Sequence, residues 1–218
     1  MYTSMAHRDV MIANRLEAVV STPSPGTGWI AVISHPHPKL GGDLDNNVVQ
    51  AVARGLLAMG VATVVFNTRG VGRSLGSSTW RGVEERLDIL DVLAFAWAQP
   101  GVSDVLLCAY SFGAAVGCSA LQDAPKKPSA VAVIGYPKGF WASFLFSAHY
   151  SRFVLGSIPK LLVQGSNDNF TSPSTLEALF QEQPEPKKLV ILPEVDHFFQ
   201  GSEGELVEAI VSWLKPML

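Results

Sequence analysis

Cysteine is nearly missing from this sequence: Cys108 and Cys118 are the only two in 218 residues. Two thiols cannot build a disulfide framework, and their spacing is not that of a metal-binding motif. Both lie in apolar stretches, where burial is expected. Charge is scarce as well. Only 16% of the residues are charged, and 16 Lys+Arg against 19 Asp+Glu leave a formal net charge of −3. No basic field is available for nucleic acid or anionic lipid, so the expected partner is a small molecule. No apolar run is long enough for a membrane-spanning helix, and the polar start from Met1 to Asp9 is not followed by a secretory apolar segment. The cytoplasm is the expected location. Internal repeats and low-complexity tracts are absent, and the Pro/Gly clusters at 23–28 and 184–186 are short enough to be surface loops. One domain over residues 1–218 is expected.

Apolar side chains are plentiful. They make up 48% of the chain, enough at this length to bury roughly 70% of the surface the unfolded chain exposes. Short β-rich runs alternate with longer helical patterns. Residues 10–13 and 16–21 read as a hairpin around Asn14 and Arg15. Strands are expected at 29–34, 61–67, 105–110, 130–136, 160–165 and 188–192. Helices are expected at 45–59, ending at Gly60, and at 84–98, 112–121, 174–181 and 205–214. Near-continuous apolar strands separated by helices specify a mostly parallel sheet covered on both faces, an α/β fold. Ligands of such sheets sit beyond the carboxyl ends of the strands.

The chemistry-bearing residues fall in those places. The strand 105–110 runs into Ala109-Tyr110-Ser111-Phe112-Gly113 and then into a helix. A nucleophile elbow needs small residues two before and two after its serine, because a tight turn brings the flanking backbones together. Short motifs of this kind also occur by chance, and Ser111 could be an ordinary helix N-cap. A serine hydroxyl needs a base to become nucleophilic. His197, following the strand 188–192, projects from the same edge. His7 precedes any expected strand and His149 sits in a stretch read as irregular. Asp168 follows the strand 160–165 and can orient His197. Asp196, its sequence neighbour, should point away. The oxyanion of a tetrahedral intermediate needs backbone N–H donors. Phe112 supplies one candidate. The loop His35-Pro36-His37-Pro38-Lys39-Leu40-Gly41-Gly42 supplies His37 as the other, with Lys39 in reserve, since proline has no N–H.

Three ordered segments now carry a resemblance: His35-Pro36-His37-Pro38 with Gly41-Gly42 and Asp45-Asn46, then Asn67-Thr68-Arg69-Gly70-Val71-Gly72-Arg73-Ser74, then Tyr110-Ser111-Phe112-Gly113. Together they resemble the small α/β-hydrolases of the dienelactone-hydrolase-like, HPHP-containing group, over nearly the whole chain. The resemblance implies an α/β-hydrolase fold and a Ser111, Asp168, His197 triad acting on a carboxylic ester or related acyl compound, with no cofactor and no metal. True dienelactone hydrolases carry a cysteine nucleophile where this chain has Ser111. Ala109 replaces the usual elbow glycine, and Asn67 the usual aspartate.

Larger relatives insert a lid domain after the strand 130–136. Here the stretch from Tyr136 to Lys160 is too short for an independently stable domain, so an open site is expected. Its aromatic density suggests an apolar wall for an acyl group, with Trp141 and Phe144 as candidate substrate contacts, although such residues also serve as core or subunit contacts. Other readings compete. His35 and His37 could begin a metal site, and Gly70-x-Gly72 invites a dinucleotide-binding reading. The same fold could also serve as a non-catalytic binding or scaffold module.

Overall fold

Runs such as Trp29–Ser34 and Asp104–Tyr110 are apolar at nearly every position, so neither face can be left in water, and both form central strands. The computed structural model describes residues 4–153 and 155–218, apart from the side chains of residues 140 and 141. In chain order the elements are β1 (Ser4–Ile12), β2 (Leu16–Ser24), β3 (Trp29–Ser34), α1 (Asn47–Ala58), β4 (Ala62–Phe66), α2 (Glu85–Trp97), β5 (Asp104–Tyr110), α3 (Phe112–Ala120), β6 (Ala130–Ile134), α4 (Phe140–Tyr150), β7 (Lys160–Gly165), α5 (Pro173–Gln181), β8 (Lys187–Leu192) and α6 (Glu203–Leu214). Among the described residues, eight strands form one sheet in the order β1-β2-β4-β3-β5-β6-β7-β8. The β1·β2 and β2·β4 pairs are antiparallel and the others parallel.

The two-residue period of a strand divides the core into two layers. Ile30, Val32, Val105, Leu107 and Ala109 pack with α2 and α3. Ala31, Ile33, Leu106, Cys108 and Tyr110 pack with α1 and α6. Cys118 belongs to the first layer and Cys108 to the second, so the sheet separates the two free thiols. Burial pushes both thiol pKa values up, which keeps them protonated and unreactive. Helix α1 starts at Asn46, whose side chain accepts from the N–H groups of Val48 and Val49, and the chain leaves it through left-handed Gly60.

Two elements depart from expectation. The hairpin is longer, because β1 pairs with β2 from Ser4↔Ser24 to Ile12↔Leu16. Its outer residues are exposed and give no apolar signal. Ala13 and Asn14 form the turn at positive φ, and His7 lies within β1 rather than before any strand, bonded to Ser21 Oγ at 2.8 Å. The second departure is α4, a helix in the stretch read as irregular. Gly139 stands at its N-cap without a side-chain bond, and its aromatic residues are mediocre helix formers, so neither start signal nor propensity announces it. Among the described residues no helix is long and apolar enough to cross a membrane.

Candidate active site

Between β5 and α3 a single residue, Ser111, makes the bend at φ 54° and ψ −119°. A non-glycine residue in this region is strained, and the surrounding structure has to hold it there. Its N–H donates to the Ile134 carbonyl at 2.9 Å, and its own carbonyl accepts from Ala114 N at 2.9 Å. The start of α3 passes so close to the end of β3 that a Cβ on Gly113 would lie 2.4 Å from Ser34 Oγ and 2.8 Å from the His35 carbonyl. Only glycine fits. The departure at Ala109 is accommodated from the helix side: Gly117 faces the Ala109 methyl, and a Cβ there would sit at 3.4 Å.

The Ser111 hydroxyl lies 2.8 Å from His197 Nε2, and His197 Nδ1 lies 2.7 Å from Asp168 Oδ2. Asp168 comes from the loop after β7, and His197 from the loop after β8. Asp168 Oδ1 accepts from Phe170 N at 2.7 Å and Thr171 N at 3.0 Å, which fixes the carboxylate and leaves Oδ2 for the imidazole. With Nδ1–H donating to Asp168, Nε2 is left to accept the serine proton. Asp196 is turned elsewhere and accepts from the N–H groups of Phe198 and Phe199. Tyr110 adds a contact that sequence reasoning missed, its hydroxyl donating to the His197 carbonyl at 3.0 Å. Phe170 is another, its ring 4.3 Å from the imidazole centroid. Tyr110 adjoins Ser111 and Phe170 lies two residues after Asp168, so adjacency was the available signal.

The first loop is held by its two histidines. His35 donates from Nδ1 to the Pro36 carbonyl at 2.6 Å, while Nε2 accepts from Thr68 N at 3.0 Å. Burial lowers its pKa to about 4, so it is neutral. His37 Nδ1 accepts from Lys39 N at 3.1 Å, and Nε2 donates to the Trp80 carbonyl at 3.1 Å. Burial also lowers the His37 pKa. The Lys39 N–H is therefore already engaged, which removes the reserve oxyanion donor. Phe112 is the first residue of α3, so its N–H has no acceptor within the helix. His149, on α4, is buried and bonded through Nε2 to the Arg81 carbonyl at 2.6 Å. Thus His37 and His149 grip the neighbouring residues Trp80 and Arg81.

A cavity of about 180 Å³ opens over Ser111. His37, Phe112 and His197 line it, together with Ala142, Leu145 and Phe146 of α4. Among its described lining residues none is Asp, Glu, Lys or Arg. The aromatic segment does supply a wall, but not through Phe144. That side chain is 71% exposed and does not line the cavity. The helical period explains the correction, because residues 142 and 145 share one face ahead of the kink at Phe146 and residue 144 lies off it. The Trp141 side chain lies outside the described residues.

The competing motifs are occupied by structure. Both rings of the His35-x-His37 pair are spent on backbone groups, and no cluster of three or more potential metal ligands occurs among the described residues. The turn through Gly70 and Gly72 opens no helix. It wraps the Glu17 carboxylate, which accepts from Asn67 Nδ2 at 2.9 Å, Arg73 N at 2.6 Å and Arg73 Nε at 2.7 Å. Asn67 can make this donation, and an ionised aspartate could not.

Comparison with known proteins agrees with this architecture. A family model described as PhoPQ-activated pathogenicity-related protein matches residues 146–218, a stretch holding Asp168 and His197 but not Ser111. An uncharacterized protein of Rickettsia prowazekii, RP471, is 27% identical over 208 residues, covering 92% of this chain and 84% of that protein. Among solved structures, XC6422 of Xanthomonas campestris, described as an α/β serine hydrolase without lid, superimposes with a TM-score of 0.81 at 27% identity. It covers 100% of this chain and 97% of its own. An α/β serine hydrolase homologue from Coxiella burnetii gives 0.80 at 29% identity, covering 97% and 98%.

Proposed function

We propose that this member of the α/β-hydrolase superfamily is a serine hydrolase of carboxylesterase type, cleaving a carboxylic ester or related small-molecule acyl compound. The observation that carries the reading is the continuous path from Ser111 Oγ to His197 Nε2 at 2.8 Å and from His197 Nδ1 to Asp168 Oδ2 at 2.7 Å. Ser111 Oγ attacks the carbonyl carbon as its proton passes to Nε2, forming a tetrahedral intermediate. The backbone N–H groups of Phe112 and His37 receive the oxyanion. Collapse breaks the bond to the leaving group, which takes the proton back from Nε2 and leaves an acyl-serine. Water then attacks in the same manner, His197 acting first as base and then as acid, and the carboxylic acid departs. Asp168 holds the imidazole in the required tautomer and stabilises the imidazolium. The mechanism calls for no cofactor and no metal. Residues 1–218 act as one domain, placed in the cytoplasm.

Replacing Ser111 with alanine removes the nucleophile. Turnover of p-nitrophenyl esters should fall on the order of a million-fold, the scale seen when a triad nucleophile is deleted. A variant as active as the parent overturns the mechanism, and a parent that neither turns over esters nor labels at Ser111 favours a binding or scaffold module on the same fold.

A further inference from the structure

Proton delivery by His197 divides the cavity into two unlike halves, and this inference rests on the reading above. The leaving-group oxygen has to come within about 2.6–3.2 Å of Nε2 to take its proton. The alcohol part of the substrate therefore lies beside the imidazole, against Phe170 and Phe198, whose ring centroids are 4.3 and 5.7 Å from it. Those two side chains are 37% and 55% exposed, so this half is open to solvent. The acyl part leaves the same carbonyl carbon on the other side, where buried residues of α4 form a wall. Ala142 and Phe146 are each 5% exposed, and the Phe146 ring packs 5.8 Å from Phe112 and 6.1 Å from His37. Leu145, half-buried, completes the α4 wall.

We infer that the site selects esters of small, uncharged, apolar acids, and that Phe146 and Leu145 set the upper limit on the acyl group. Size supports this: the whole cavity, alcohol half included, is about 180 Å³, close to the apolar cavities of about 150 Å³ that hold one benzene ring. The acyl half holds less than that, so the acyl limit is at most one six-membered ring or a chain of about six carbons. Charge supports it too. A carboxylate on the acyl chain would be desolvated among apolar side chains with no lysine or arginine among the described lining residues to pair with it.

The test is kcat/KM for p-nitrophenyl esters from acetate to decanoate, with a hemisuccinate as the charged member. The parent, Phe146→Ala and Leu145→Ala are compared, and fluorophosphonate labelling of Ser111 is run in parallel. The expected parent profile peaks at or below about six carbons. The hemisuccinate should be slower than its neutral pentanoate counterpart by about 100-fold or more. Either α4 variant should move the limit to longer chains. Equal turnover from acetate to decanoate, equal turnover of the charged and neutral esters, or α4 variants with the parent profile would each overturn the selection. If a variant fails to fold, as its melting curve will show, the parent series and the other variant still decide. A labelled Ser111 with none of these esters cleaved also overturns it, whereas an unlabelled Ser111 without turnover condemns the serine mechanism itself.

Discussion

His35 spends both ring nitrogens inside the protein, joining the loop after β3 to the loop after β4 through Pro36 and Thr68. Burial, partly offset by the bond to Pro36, holds its pKa near 4 against an ordinary 6.5. Between those values the unfolded chain takes up a proton that the folded chain refuses, so stability is lost as pH falls through the window and is fully present above it. The interval corresponds to a loss of about 3 kcal/mol for this residue. His37 and His149, also lowered by burial, act in the same direction. Urea unfolding should therefore give a free energy that declines from pH 6.5 toward 4.5, with a shallower decline in His35→Gln. Identical slopes in the two proteins would remove His35 from the explanation. At this scale the candidate site was legible where a chemistry-bearing residue directly follows a strand, as Ser111 and Asp168 do. Tyr110 and Phe170 were not, because an aromatic residue becomes part of a site only through what folding sets beside it.

The loop between β3 and α1 and the helix α4 supply the parts of the cavity that do no chemistry. In the loop, the backbone at Gly42 passes so near Pro36 that an added Cβ would lie 2.2 Å from the Pro36 carbonyl oxygen. Gly42→Ala must therefore displace Pro36 and with it His37, one of the two proposed oxyanion donors. Loss of one such donor costs about a hundredfold or more in kcat. The expected variant keeps a cooperative melting transition, loses kcat by about that factor and changes KM less. A variant that melts earlier while retaining kcat would show that the loop has only a structural part. Glycine at 41 and 42 suits this fold-back, because without a Cβ the backbone can turn and approach closely. Helix α4 was not readable, because a run rich in aromatics without a capping residue carries neither a start signal nor a strong helical propensity. Its backbone conformation, with Phe146 off the helical region at φ −109° and ψ 15°, emerges from packing against α3.

Across the molecule, the parallel order of β3, β5, β6, β7 and β8 carries the loops of the candidate site to one rim of the sheet. That much followed from the alternation of apolar strands and helices, and so did the N-terminal hairpin, but not its full length, since β1 shows solvent a mostly polar outer row. The sheet is what brings residue 111 within hydrogen-bond reach of residue 197. The measurement that tests this most directly is the intact mass of the protein after brief exposure to a fluorophosphonate, for the parent, Ser111→Ala and His197→Ala. A single adduct on the parent, mapped to Ser111, is expected, with none on Ser111→Ala and a greatly slowed reaction on His197→Ala. A parent protein that stays unmodified, or one that reacts equally well without His197, would contradict the account.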